Sequence, residues 1–330
     1  MNQRDQLLRD FLQKCAWADA DRGVLAGDAS FRRYDRLKRG NEAAVLMDAP
    51  PPQEDVRPFI RIGDQLCALG YSAPRILAKD VEHGFLLLED LGDSTYARRL
   101  AEGDDEESLY ALAMDVLADL HGRTDAVPPG TPAYDDERLL TEACLLTDWY
   151  MPAVLGHEIT AADHEQYRAL WRDLFPVARS VPDTLVLRDF HVDNLMLLDR
   201  PGLTACGLLD FQDAVSGPVT YDPMSLLEDA RRDIDPALIR RMKQRYLDQL
   251  PHIDRDAFAA SWAVLAAQRH AKVIGIFTRL CKRDGKSGYL IHIPRVWRLL
   301  EQSLSHPVLA AVKTWLDTHM PQEQRTVPKP

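Results

Sequence analysis

Leu187-Arg188-Asp189-Phe190-His191-Val192-Asp193-Asn194, with Asp210 sixteen residues after its last member, is the stretch that organises the chain. Short apolar runs flank it. Thr184 to Leu187 leads into it, Leu195 to Leu198 leads out, and Ala205 to Leu209 follows the turn Asp199-Arg200-Pro201-Gly202. This pattern predicts a strand hairpin set into a helical region. It holds Asp189 and Asn194 at one end of the hairpin and puts Asp210 at the tip of another strand.

Those residue types carry a definite chemistry. A carboxylate can orient and deprotonate an attacking hydroxyl, and oxygen ligands can hold magnesium against phosphates. An Asp-x4-Asn loop followed by a strand-terminal Asp supplies these parts in kinase order. Asp189 is therefore the expected catalytic base, with Asn194 and Asp210 the metal ligands. Each has a plainer alternative. Asp189 could be a turn residue and Asn194 a turn cap. Asp193 reads as a solvated neighbour. His191 reads as a brace for the loop through a hydrogen bond, with a base or substrate role as the alternative. Asp213 is balanced between solvated surface and substrate contact. Asp222, before Pro223 at a helix start, reads as an N-cap.

The rest of the chain runs outward from this centre. Leu7, Leu8, Phe11 and Leu12 give a short helical stripe. Gly23 to Leu25, Phe31 to Leu37 and Ala43 to Met47 predict three strands joined by tight turns, ended by Pro50-Pro51-Pro52. Phe59 to Leu69 has helical periodicity and stops at Gly70. Arg75 to Ala78 and Phe85 to Leu88 predict two more strands. Beyond residue 92 the pattern is helical, with Leu109 to Leu120 an amphipathic stripe. Further helices are expected near 136–153, 162–178, 236–249, 256–280 and 306–317, and a frayed tail from Gln322.

Bulk properties narrow the function classes. The 330 residues carry a net charge of -11, which argues against non-specific nucleic-acid binding but not against a local nucleotide site. The five cysteines are scattered, with no Cys-x-x-Cys pair, so neither a disulfide framework nor a structural zinc site is expected. The first residues lack the apolar core of a signal peptide, and no run reaches the roughly 18 apolar residues of a membrane span. A cytoplasmic protein with no membrane or protein partner is the expectation.

Residues 187–194 resemble the catalytic loop of the aminoglycoside phosphotransferase (choline kinase-like) family, whose motif runs His-Gly-Asp-Leu-His-x-x-Asn. Leu209-Asp210-Phe211-Gln212-Asp213 is similar to the family's metal-binding segment, and Tyr221-Asp222-Pro223 to the helix start that follows it. The resemblance implies an α+β, bilobal, protein-kinase-like fold. Residues 1–92 would form a small β-rich N-terminal lobe with one main helix and a hinge near 88–92, and residues 93–330 a larger, mostly helical lobe. It implies ATP as phosphate donor and Mg2+ as cofactor. Nucleotide contacts would come from the turn containing Ser30 and from the backbone around Glu89 and Leu91. Asp222 would support the catalytic loop's backbone.

One departure stands out. The resembled kinases carry a lysine in the third strand that pairs the ATP phosphates. Here Ala44-Val45-Leu46-Met47-Asp48 has none, and Met47 takes the place. Arg32 and Arg36 share one face of the preceding strand by alternation, and Arg32 is the expected substitute.

Two longer stretches, Gly27 to Tyr34 with Met47 to Pro52, and Gln268 to Phe277 with Arg283 to Lys286, resemble bacterial sugar kinases of this family. Those enzymes phosphorylate N-acetylmuramate and N-acetylglucosamine at the anomeric carbon in cell-wall recycling. On that resemblance Glu142, Trp149, Tyr150 and Arg269 are candidate sugar contacts, Arg269 for a lactyl carboxylate. The aromatic pair reads equally as core.

Other readings stay open. A kinase of the same fold could act on an amino alcohol or aminoglycoside, using the carboxylates Asp135, Asp136, Glu137, Glu142 and Asp148. A two-metal phosphoesterase opening on Asp189-x-His191 would need more ligands than the later histidines offer. A non-catalytic binding protein is the third alternative.

Overall fold

The computed structural model describes residues 3–27 and 31–330. The chain is α+β, with a small antiparallel sheet in its N-terminal part and a larger helical C-terminal part. It forms two compact units, one of residues 1–116 with 189–214 and one of 117–188 with 215–330.

The first unit opens with α1 (Gln3–Lys14), followed by β1 (Asp21–Gly27), β2 (Arg33–Arg39) and β3 (Glu42–Asp48). Next come α2 (Arg57–Ala68), β4 (Ile76–Asp80) and β5 (Phe85–Glu89). The five strands form one antiparallel sheet in the order β1-β2-β3-β5-β4. Strand β3 is central, and its residues from Ala44 to Asp48 are all buried, so side chains on both faces are covered. Leu8, Phe11 and Leu12 of α1 pack with Leu37, Ala44, Leu46, Phe85 and Leu87 on one face. Burying those three α1 side chains contributes about 6 kcal/mol. Alternation sets Val45, Met47, Leu86 and Leu88 on the other face. After α3 (Tyr96–Glu102) the chain enters α4 (Glu106–His121).

In the second unit α5 (Asp136–Ala143) leads through a π turn at Leu146–Tyr150 into α6 (Met151–Leu155), then α7 (Ala161–Ala178). The single helix expected over 136–153 is thus broken into three pieces. Strand β6 (Asp183–Val186) leads into the loop that carries Asp189 and Asn194.

The hairpin expected between the strands that flank the Asp189–Asn194 loop does not form, because β7 (Leu195–Leu197) pairs instead with β8 (Cys206–Leu208), the strand that ends before Asp210. β7 and β8 belong with the first unit because Ser72 bridges Gly207, Thr95 bridges Met196, and the Ser72 hydroxyl donates to the Thr204 carbonyl at 2.7 Å.

Back in the second unit, β6 pairs not with β7 but with β9 (Val215–Pro218), a strand that the sequence did not announce. Then follow α8 (Tyr221–Leu227), α9 (Pro236–Gln249), α10 (Arg255–Asp284), α11 (Ile293–Ser303) and α12 (Ala310–His319). The 30-residue α10 is the axis of this unit. Asp254 caps its start by accepting from the Ala257 N–H, and Gly285 ends it in the left-handed conformation. At Gly275 a Cβ would lie 2.3 Å from the Leu145 backbone, so glycine sets how closely that segment approaches the helix. Among the described residues no helix is long and apolar enough to cross a membrane.

Candidate active site

In the first unit, the segment from Asp189 to β7 closes in a 3-10 turn, Val192–Asn194, with the Asn194 N–H donating to the His191 carbonyl at 2.9 Å. That turn aims the Asn194 side chain back across the loop. Its Nδ2 donates to the Asp189 carbonyl at 2.9 Å and to Asp210 Oδ2 at 3.3 Å. One amide therefore ties Asp189 to the strand-end carboxylate. No hydrogen bond engages the Asp189 carboxylate among the described residues, which leaves it open to an incoming hydroxyl. His191 is buried, with Nε2 3.3 Å from Asn194 Nδ2 and Nδ1 3.7 Å from Asp193 Oδ2. Its ring works inside the loop.

Asp210 sits at φ +58°, in the left-handed region that a side chain rarely adopts. Its anchor is the next residue. Phe211 stacks on Phe59 of α2 with centroids 4.8 Å apart and lies against Gly63. Gln212 Nε2 donates to Asp210 Oδ1 at 2.7 Å. Asp213 is exposed.

The donor set fits magnesium. The Asn194 side chain makes these contacts through its nitrogen, so its amide oxygen, the atom a hard cation binds, lies outside them. With the Asp210 carboxylate that makes two oxygen ligands. Among the described residues no group of three or more His, Cys, Asp or Glu could form an all-protein cage. Magnesium needs none where phosphates and water complete the octahedron.

Arg32, one residue before β2, continues the face that carries Tyr34 and Arg36, and these pair across the ladder with Met47 and Val45. Its guanidinium lies 3.7 Å from Asp210 Oδ1 and 3.8 Å from Glu54 Oε2, with only 11 % of the side chain exposed. Glu54 also accepts from the Phe31 N–H at 3.0 Å. Arg36, by contrast, is engaged at the other end of β5: it pairs with Asp90 at 2.7 Å and Asp93 at 2.8 Å. Of the two arginines on this face, Arg32 is the one beside the metal-ligand candidate.

At the expected hinge, the Glu89 N–H is taken by the Arg75 carbonyl at 2.8 Å. Its carboxylate pairs with Arg75 at 3.1 Å and Arg200 at 2.8 Å. Burial works against its charge, but the Arg75 hydrogen bonds hold the carboxyl below its usual range. The backbone N–H and carbonyl of Leu91 enter no hydrogen bond among the described residues, which leaves an edge free for a planar ligand. Ser30 lies outside the described residues.

In the second unit, wholly buried Asp222 accepts from the Leu187 N–H at 2.6 Å and the Arg188 N–H at 2.9 Å. It does support the loop backbone directly before Asp189, in place of the N-cap role that its position suggested. Glu142 takes Arg188 and Tyr134 as short partners, Lys272 at 2.8 Å and Gln268 at 3.3 Å. Burial alone would raise its carboxyl, but Lys272 and Arg188 bring it down to about 2. Tyr150 is fully buried and its hydroxyl donates to the Thr326 carbonyl at 2.7 Å, while Trp149 is half-buried on the π turn. Arg269 is 6 % exposed, and its Nη1 has no hydrogen-bond partner among the described residues.

Sequence reasoning passed over Glu54, Arg188, Tyr134 and Lys272. Only Lys272 had a usable signal, its i, i+4 spacing from Gln268.

Comparison with known proteins places this geometry. Residues 23–260 match the model of the phosphotransferase enzyme family. A protein of Pseudomonas aeruginosa described as N-acetylmuramate/N-acetylglucosamine kinase is 42 % identical, over 86 % of this chain and 84 % of its own. One of the same description from Caulobacter vibrioides is 34 % identical over 98 % of this chain and 99 % of its own. Among solved structures, a choline/ethanolamine kinase family protein of Mesorhizobium loti matches with a TM-score of 0.64. It is 12 % identical and covers 96 % of this chain and 99 % of that one, a likeness of fold alone. With its loop, metal-type carboxylate and fold in agreement, the chain belongs to the aminoglycoside phosphotransferase family of phosphotransferases.

Proposed function

We propose that this protein is an ATP-dependent sugar kinase that phosphorylates the anomeric hydroxyl of N-acetylmuramate and N-acetylglucosamine. The observation that carries the reading is the Asn194 amide bound to both the Asp189 carbonyl and the Asp210 carboxylate, in a chain whose full-length relatives are described as kinases of these sugars.

In this mechanism the free Asp189 carboxylate orients the sugar's 1-hydroxyl and takes its proton as the oxygen attacks the γ-phosphorus. The O1–P bond forms, the bond from phosphorus to the β,γ-bridging oxygen breaks, and ADP leaves. Magnesium held by Asn194 Oδ1 and Asp210 would neutralise phosphate charge. Arg32 meets the phosphates in place of the strand lysine, with Glu54 as its counter-ion. Leu91 offers backbone groups to the adenine edge. The functional lobes divide at the hinge near 88–92.

On the sugar side, Arg269 is a buried guanidinium with an unused donor, suited to a carboxylate. Trp149, His191 and Asp213 remain candidates for the pyranose. Tyr150 and Glu142 are better read as structural, since their polar atoms are already taken. All five cysteines are free, in keeping with a cytoplasmic enzyme of cell-wall sugar recycling.

The amine-kinase alternative is weakened by the same census. Asp135 caps α5, Asp136 pairs with Arg179, Asp148 with His164 at 2.8 Å, and Glu142 with Arg188 and Lys272. A cationic acceptor would find four of the five carboxylates engaged, all but Glu137. Phosphorus-31 NMR of the product tests the proposal: phosphate bonded at C1, with loss of the reducing end, supports it, and phosphate on any other hydroxyl rejects it.

A further inference from the structure

We propose that Glu142 and Arg188 form a positioning device for the catalytic base, in which Glu142 grips the Arg188 side chain and thereby fixes the peptide that presents Asp189. The inference rests on the reading of Asp189 as base.

Arg188 has φ +68°, a conformation in which glycine is at ease and a residue with a Cβ is strained. Strain of this kind persists only where the surroundings over-determine it. Here they do so twice. Asp222 accepts from two successive backbone N–H groups, those of Leu187 and of Arg188 itself. Glu142 Oε1 accepts from Arg188 Nη2, and the guanidinium lies over the Tyr134 ring at 5.7 Å. The next peptide bond leads to Asp189, so rotation about the Arg188 backbone would swing the base directly.

Glu142 is itself immobilised. Its side chain is 13 % exposed and receives four donors: Arg188 and Lys272 on Oε1, Tyr134 and Gln268 on Oε2. A carboxylate has about four lone-pair sites, so no acceptor capacity is left for a sugar hydroxyl. Gln268 is fixed in turn by donating to the Leu139 carbonyl at 2.9 Å. A saturated carboxylate at the centre of such a cluster can act on the reaction only through what it holds. Of its four partners, Arg188 alone adjoins the base in the chain.

A double-mutant cycle on the full chain decides the matter, with kcat and both KM values measured for Arg188→Gly, Glu142→Gln and the double variant. Glycine suits the backbone conformation, so Arg188→Gly removes the grip without adding strain. A misplaced base costs on the order of 100-fold in rate. The expected result is a fall in kcat of about 10- to 100-fold for each single variant, with KM for sugar and ATP within about twofold. The double variant should be no slower than Arg188→Gly alone. Wild-type kcat in Arg188→Gly would overturn the proposal. So would a tenfold rise in sugar KM caused by Glu142→Gln in the Arg188→Gly background, which would make Glu142 a direct substrate contact. If Glu142→Gln does not fold, Arg188→Lys decides instead: the retained cation should restore part of the kcat lost in Arg188→Gly, and no restoration rejects the device. Wild-type turnover of the acetylated sugars and inactivity of Asp189→Asn test the underlying reading separately. Should the wild type accept only another alcohol, the cycle runs with that acceptor.

Discussion

Asp222 is bound to Arg188 through the backbone: the buried carboxylate accepts the Arg188 N–H at 2.9 Å while its other oxygen takes the Leu187 N–H at 2.6 Å. The residue before Asp189 is thus fixed from a helix 34 positions away in sequence. Asp222→Ala strands two buried amides at a cost of about 1–3 kcal/mol each. The variant should unfold at least 2 kcal/mol more easily in urea and lose kcat more than it raises KM for ATP. Unchanged stability would mean that the two bonds contribute nothing net.

Arg32 replaces the missing strand lysine in this account. Removing a charge-assisted contact to phosphate costs about 1.5–3 kcal/mol, or roughly 10- to 100-fold. Arg32→Ala should therefore raise KM for ATP, lower kcat/KM for ATP by that factor, and leave KM for the sugar unchanged. Arg32→Lys should recover part of the loss. Arg36→Ala, which breaks the pairs with Asp90 and Asp93, should not reproduce this pattern. Equal effects of the two alanine variants would assign the phosphate contact elsewhere.

The pH dependence of stability follows from Glu142. Its carboxyl is held at about 2 by Lys272 and Arg188 against burial, below the ordinary 4.5. A depressed carboxyl contributes stability that is fully present above the unfolded pKa and is lost as pH falls through the folded one. The window is thus about pH 4.5 down to 2, and the contribution about 3 kcal/mol. Urea midpoints at pH 7 and pH 3 should differ less in Glu142→Gln than in the wild type, because the variant has no such carboxyl to protonate. At pH 7 the variant should be the less stable, since it leaves two buried cations without their partner.

Much of this was legible in the chain. The five small-lobe strands, the Asp-x4-Asn loop and the strand-terminal Asp210 are local patterns, and local patterns survive reading without coordinates. Strand β9 is Val215-Ser-Gly-Pro218, too short and too poor in alternation to announce itself. The π turn at Leu146–Tyr150 keeps helical spacing on both sides, which hid the break. Helix α11 did carry a signal, with Ile293, Val296, Trp297 and Leu300 all buried on one stripe, and it was overlooked. The site divides the same way. Residue types at fixed spacing named Asp189, Asn194 and Asp210, and strand alternation named Arg32. The left-handed backbone at Arg188 and the four donors on Glu142 arise from segments far apart in sequence, where spacing has nothing to say.

The central claim is that Asp189 is the base of an anomeric sugar kinase. Its most direct test is magnesium-dependent ADP release with N-acetylmuramate, N-acetylglucosamine, choline and kanamycin, comparing the intact protein with Asp189→Asn. The account predicts turnover with the acetylated sugars, none above background with choline or kanamycin, and a loss of at least about 100-fold in the variant, in line with general-base catalysis. Turnover confined to the amines, or an Asp189→Asn variant as fast as the wild type, would contradict it.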